Sequence, residues 1–402
     1  MAEFKKILGA PLLLFAGASM LMGLYSGLYD PSFNNYLAQM HNVSPLARGA
    51  LEFPRELPGF LIVFIFTALI FLADTRIAAL ASILVGVALW GQGFIAPDLT
   101  MIVVWMIIWS TGAHLFMAIT PSIGLRLAKE GQEGRRLGQL GSLESLGSLV
   151  GMLVVYWGAS RFHFSFAVIF GMAGSFALMA AGCLYLIKPQ PLMQVSRRLI
   201  FKRKYWLFYA LNIVFGARKQ IFLTFAPWVL IKVFNCGIET FALLGFIGTL
   251  LSLILRPLLG RAIDSWGERV IIGAESLLLV ILSILYGFSP TWFSSGVALS
   301  IIMACFVTDQ LLFSVRIART TYLNRIIDSP EDLTPTISMG LTLDHAVSML
   351  IPLGGGLLWT HYGYTPVFVI AGIIAVLNLL LSRFIPTRER HPGTFPPVYL
   401  SP

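Results

Sequence analysis

Charge is scarce in this chain: 12% of its 402 residues are Asp, Glu, Lys or Arg, against roughly 25% in a soluble globular protein. No water-soluble fold could hide the 57% of hydrophobic residues that replace them. Cysteine is scarcer still. Cys183, Cys236 and Cys305 lie in or beside different apolar segments, and no paired spacing suits a disulfide framework, a zinc ribbon or a redox pair. They read as packing residues. Also missing is any clustered His/Asp nucleophile or metal-ligand spacing, so no enzyme, cofactor or metal site is expected. The formal charge of +9 lacks the basic face of a soluble nucleic-acid-binding domain.

What is abundant is long apolar runs. Stretches of about 20 residues, each able to cross roughly 30 Å of hydrocarbon, recur along the chain. Spans are expected near residues 10–37, 47–73, 77–95, 99–126, 137–159 and 164–187. A second set is expected near 205–233, 239–262, 270–288, 292–325, 336–360 and 365–385. The opening, Lys5 and Lys6 before an apolar run with Ala16, Gly17 and Ala18, superficially fits a secretory leader. Its apolar stretch continues through Leu28 and Tyr29, so it reads as the first span.

Residues 188–204, with Pro189, Pro191, Arg197, Arg198, Lys202 and Arg203, read as a basic linker. It would join a first six-helix half, 1–187, to a second, 205–386, with 387–402 as a tail. Placing the linker in the cytoplasm gathers Arg126, Lys129, Arg135, Arg136, Arg261, Arg269, Arg325, Arg383 and Arg388 on its side. Arg48, Arg161 and Lys232 remain on the other. Cations resist translocation, so both termini are expected in the cytoplasm and the protein in the cytoplasmic (inner) membrane.

The halves echo one another, as two repeats about an axis along the membrane normal would. Asp74 and Asp264 follow the second and eighth spans, and the same shift carries Asp30 onto Gln220. Glu144, in Gly141-Ser-Leu-Glu, likewise matches Asp344, in Leu341-Thr-Leu-Asp.

Between spans 8 and 9 the chain reads Gly260-Arg-Ala-Ile-Asp264-Ser-Trp-Gly267-Glu-Arg269. This resembles the signature loop of the major facilitator superfamily at Gly260, Asp264, Gly267 and Arg269, with Ser265 and Glu268 departing from the usual basic residues. In the first half only Asp74 and Arg76 remain of it. An Asp before a helix accepts from its free N–H groups, and arginines tie helix ends together, so such a loop can latch a gate. The resemblance implies an all-α polytopic membrane protein: twelve transmembrane helices in two pseudo-symmetric six-helix bundles around a central cavity, lined by the first and fourth spans of each half. It implies alternating-access transport. The span-5 glycine motif of antiporters is incomplete here, since Gly147 and Gly151 lack its proline.

Ionisable side chains within hydrocarbon cost about 2.5 to 3.5 kcal/mol or more on insertion scales, so they face a cavity or a partner. Arg218 and Lys219 in span 7 are adjacent cations suited to an anion; His114 in span 4 and Asp309 and Gln310 in span 10 would complete a substrate site. His114 reads equally as a helix-packing residue. Asp30 in span 1 is the candidate for proton coupling, with a static ion pair as the rival reading. Glu52, Arg55 and Glu56, on one helix face, read first as pairing among themselves. Glu144 and Asp344 join Asp74, Arg76, Gly260, Asp264, Gly267 and Arg269 as residues of a cytoplasmic gate. Trp105 and Trp109 read first as packing.

The expected function is secondary active transport of a small polar, anionic metabolite, with protons as a candidate coupling ion, by a monomer in the lipid bilayer. The alternative is proton-linked efflux of drug-like solutes. A non-transporting receptor or lipid-handling protein on the same fold is a third reading.

Overall fold

The computed structural model describes residues 10–69, 71–129, 131–189 and 201–387. The centre of the expected linker and nearly all of the expected tail lie outside the described residues, as do Lys5 and Lys6. Helices are the only regular elements among the described residues.

The first half comprises α1 (Ala10–Met40), α2 (Pro45–Ala50), α3 (Glu52–Phe60), α4 (Ile62–Ala68), α5 (Asp74–Phe94), α6 (Leu99–Arg126), α7 (Glu133–Arg161) and α8 (Phe166–Leu186). The second comprises α9 (Trp206–Lys232), α10 (Ile238–Trp266), α11 (Glu268–Trp292), α12 (Ser295–Leu312), α13 (Arg316–Ile326), α14 (Pro330–Tyr362) and α15 (Thr365–Ser382). All twelve expected spans are helical. Ten are long and apolar enough to cross a membrane by the measure of length and hydropathy. The exterior is apolar as lipid demands: Phe64, Trp90, Leu153, Ile254, Leu277 and Ile373 point outward.

Two spans are broken where continuous helices were expected, each for a local reason. Span 2 is the jointed rod α2–α3–α4. Pro54 and Pro58 have no N–H to give the preceding turn, and Pro58 is followed by Gly59. The pieces stay bonded end to end, Arg55 N–H to Leu51 O at 3.2 Å and Leu61 N–H to Leu57 O at 3.0 Å. Span 10 tightens into a 3₁₀ turn, Phe313–Val315, between α12 and α13.

Within the first half, α1 packs on α7 and α8, and α5 on α6 and α8; within the second, α9 packs on α14 and α11 on α15. The α1–α7 crossing is built on paired glycines. Gly23 and Gly27 of α1 lie against the Glu144 and Ser148 backbones, and Gly147 and Gly151 of α7 against the Met20, Leu24 and Gly27 backbones. Small residues four apart let two helix backbones touch. This accounts for the span-5 glycines as packing.

The halves meet along two seams, α14 on α2 and α3, and α10 on α7. Near the end where α1 leads into α2 they are tightly closed: Gly356 abuts the Pro45 carbonyl and Gly49 the Pro352 carbonyl, while Gly245 faces Met152. Toward the opposite end, where α9 begins, Gly134, Gly138 and Gly141 of α7 and Gly260 of α10 stand free, with nothing within 4 Å of an added Cβ.

Candidate functional site

A cavity of about 380 Å³ lies between the halves. It is lined from α1 by Tyr29, Asp30 and Asn34, from span 2 by Arg48 and Arg55, from α6 by Trp109, from α10 by Thr249, Ser252 and Arg256, and from span 10 by Gln310 and Phe313. These come from spans 1, 2, 4, 8 and 10, with Ser145 and Met152 of span 5 and Leu223 of span 7. Its walls are therefore mixed, with aromatic faces and a few hydrogen-bonding groups, as small-molecule sites commonly are.

Two charges in this wall have no ion-pair partner in contact, although each feels Glu144, the neighbour of the lining residue Ser145. Asp30 is exposed to the cavity and makes no hydrogen bond or ion pair among the described residues. Arg256, also exposed, has no ion-pair partner among them. The other two cations are balanced: Arg48 binds Glu52 at 2.5 Å and Asn34 at 2.9 Å, while Arg55 binds Glu52 at 2.6 Å and Glu56 at 3.3 Å. Glu52 is fully buried and also accepts from Gln220 of α9, which ties span 2 to span 7 across the halves.

Arg218 and Lys219 stand elsewhere. The Arg218 guanidinium, 2% exposed, lies between Asp309 at 2.8 Å and Glu275 of α11 at 3.0 Å. Glu275 takes a second guanidinium, Arg319 of α13, at 2.9 Å. Two cations thus face two carboxylates in a closed, neutral cluster, the arrangement that makes buried charge tolerable. Phe215 and Phe313 stack on the Arg218 guanidinium and Phe215 on that of Arg319. Lys219 pairs with Asp344 at 2.8 Å, so the partner of Asp344 is a neighbouring helix and not a loop. Of the five residues expected at the substrate, Gln310 lines the cavity, whereas Arg218, Lys219, Asp309 and His114 do not.

His114 belongs to a third group. Its Nδ1 lies 2.9 Å from its own helix's Ser110 carbonyl, and its ring meets His345 of α14 edge to face at 5.0 Å. His345 Nδ1 in turn lies 2.8 Å from Glu56 Oε2. Nothing in the order of the chain puts residues 56, 114 and 345 together.

At the end where α9 begins, Asp74 is fully buried in the first turn of α5, accepts from Ser122 at 2.8 Å and pairs with Arg126 at the end of α6. Arg76 donates to the Tyr185 carbonyl and lies over its ring at 4.1 Å. The corresponding tie in the second half is Glu268, 2% exposed, to Arg325 at 3.4 Å. Asp264 sits in the last turn of α10, before the helix end at Gly267, whose φ of +81° makes the turn into α11. The expectation that Asp264 sits ahead of a helix is thus corrected. The acid at the start of α11 is Glu268, a position where the sequence motif departs from the superfamily. Nearby, Lys202 and Lys204 pair with Asp332 and Asp328. The hydrogen bond from Lys204 holds the Asp328 carboxyl below its ordinary range, and the bond to Asp332 raises Lys202.

Sequence reasoning overlooked Glu275, Arg256 and His345. The first two could have been found by the same cost of burying charge that singled out Arg218; His345 carried no signal beyond lying next to Asp344.

Twelve helical spans in two bundles about a central cavity of mixed polarity define an alternating-access membrane transporter fold. The family model of the Major Facilitator Superfamily matches residues 15–326, and the chain belongs to that superfamily. No curated protein sequence matches it. Among solved structures it is similar to the nucleoside transporter NupG, at 11% identity and TM-score 0.74, covering 94% of this chain and 98% of that one. It is similar to a D-xylose–proton symporter at 17% identity and TM-score 0.68, covering 93% and 97%. A third likeness is a bacterial homologue of the human lysosomal transporter Spinster, inward-facing and occupied, at 12% identity and TM-score 0.70, covering 93% and 95%. At such identities these likenesses concern the fold.

Proposed function

We propose that the chain is a secondary active transporter that moves a small polar, anionic metabolite across the cytoplasmic membrane with a proton. The observation that carries this reading is the pairing pattern of the cavity wall: Arg256 has no ion pair in contact, Arg55 is balanced but accessible, and Asp30 is the one carboxylate among the lining side chains. With Asp30 ionised the two unpaired lining charges cancel, and Glu144 behind the wall adds negative charge near both. Protonation of Asp30 makes the lining one charge more positive beside Arg256 and so favours an anion, and proton and anion would enter together. Asn34, Thr249, Ser252 and Gln310 would supply hydrogen bonds to polar substituents. The named cargoes of two structural neighbours, nucleosides and D-xylose, are polar solutes of similar scale.

The positive-inside pattern supports placing the closed end outside and the end with the free α7 and α10 stretches in the cytoplasm, an inward-open state. Residues 1–187 and 205–386 would then rock as two units, with no covalent chemistry. The gate residues Asp74, Arg76, Gly260, Asp264, Gly267, Arg269 and Glu268 would hold span ends in register as α7 and α10 close. Asp344, through Lys219, and Glu144 would follow that motion from deeper in the bundle.

The test is binding and counterflow across a panel of carboxylates, phosphates, neutral sugars and lipophilic cations in proteoliposomes. Arg256→Gln should lower anion affinity about tenfold, the loss of one charge-assisted contact. Saturable binding confined to lipophilic cations would overturn the anion reading in favour of efflux.

A further inference from the structure

Glu56, His114 and His345 form a cluster that the transport reading leaves unused. Each offers one ligand atom, and these atoms lie within 4.8 Å of one another. Glu56 stands on α3 and His114 on α6, both in the first half, whereas His345 stands on α14 in the second. Glu56 and His345 are buried, at 6% and 8% exposure, and His114 is partly exposed.

The surroundings orient the two rings. A carbonyl can only accept, and Ser110 Oγ, 3.1 Å from the same nitrogen, already donates to the Arg55 carbonyl, so both contacts favour the Nδ1–H tautomer of His114 and leave the lone pair on Nε2. That Nε2 is directed at the face of α3: a Cβ built on Gly59 would lie 2.6 Å from it and 2.7 Å from His345 Cε1. Gly59 follows Glu56 by three residues, on the same helix face, so the missing side chain is what admits both rings beside the carboxylate. An imidazole tied at Nδ1 to a backbone carbonyl, presenting Nε2 to a neighbour, is the arrangement that prepares a histidine for a metal.

We propose that Glu56, His114 and His345 bind a first-row transition-metal ion of the zinc class, and that this ion clamps the two halves in the state described here. Two imidazoles and one carboxylate with a fourth position open suit Zn²⁺ chemically. Metal–ligand bonds of about 2.0–2.2 Å need ligand atoms about 3.3 Å apart, so shifts of roughly 1 Å in the two rings complete the site. Ligation through His345 Nδ1 moves its proton to Nε2 and replaces the 2.8 Å contact with Glu56 by two bonds to the ion. Arg55, now 3.3 Å from the other oxygen of Glu56, keeps Glu52 as its partner. The ion would thus join α3 and α6 to α14 beside the seam that must part for the outward-open state.

The experiment uses full-length protein in detergent, stripped with chelator and titrated with ZnCl₂ by calorimetry, with Co²⁺ absorption as an independent report of ligand geometry. One saturable site per chain is expected, together with a Zn²⁺-dependent rise in thermal stability. His345→Ala and His114→Ala should each weaken binding at least about tenfold. Glu56→Gln, which preserves shape, should do the same and serves if a histidine variant fails to fold. Absence of saturable wild-type binding below about 100 µM, about 5.5 kcal/mol of binding free energy, overturns the proposal. So does wild-type affinity in well-folded variants. Neither result depends on what the cavity transports.

Discussion

At the scale of single residues, whether a charge is already paired decides what it can do. Asp30 and Arg256 face the cavity without an ion pair, whereas Arg218 and Arg319 are satisfied by Asp309 and Glu275. Two predictions separate these classes. Asp30→Asn should keep substrate binding and counterflow but lose accumulation driven by a pH gradient, because a permanently neutral side chain cannot carry the proton; gradient-driven accumulation at the wild-type level would remove Asp30 from coupling. Glu275→Gln should instead act on stability. One carboxylate serves two buried guanidiniums, and its removal leaves Arg319 without an ion pair and Arg218 with Asp309 alone, a loss on the order of 3 kcal/mol. The check is thermal unfolding in detergent, in which Asp309→Asn should cost less, since Asp309 has the single ion-pair partner Arg218.

Among elements, backbone proximity and backbone breaks do the shaping. Gly151 of α7 would place a Cβ 2.6 Å from the Leu24 carbonyl and 2.9 Å from the Gly27 backbone of α1. Leucine there must force α1 and α7 apart, at a cost on the order of 2 kcal/mol or more. Gly151→Leu is therefore expected to lower thermal stability and broaden the size-exclusion profile, while the same change at Gly141, which faces open space, leaves both near wild type. Span 2 shows the opposite case, where Pro54, Pro58 and Gly59 joint a helix. The joint brings Glu52, Arg55 and Glu56 onto one inward face that touches both halves. Reading these three as pairing among themselves captured the Arg55 contacts and omitted Gln220 and His345, because those partners lie more than 150 residues away in sequence.

For the whole molecule, the asymmetry of Lys and Arg makes a prediction about sidedness. In a cysteine-free background, Ser295→Cys, exposed at the start of α12, should react with an impermeant thiol reagent in intact cells. Ser265→Cys, exposed at the end of α10, should react only after permeabilisation. The reverse pattern would invert the orientation.

Local sequence was enough for the twelve-helix plan, because hydrocarbon forces every spanning segment to satisfy its own backbone and so to declare itself by length and apolarity. It also picked out Asp30 and Gln310, which line the cavity from the spans that the resemblance named. The pairing of charges could not be read that way. Adjacent Arg218 and Lys219 look like one cationic site along the chain, yet successive residues on a helix point about 100° apart, so one meets Asp309 and Glu275 and the other Asp344. Which cation stays free, and that Glu56, His114 and His345 converge, depends on how spans far apart in sequence pack side by side, and the tertiary structure alone decided it.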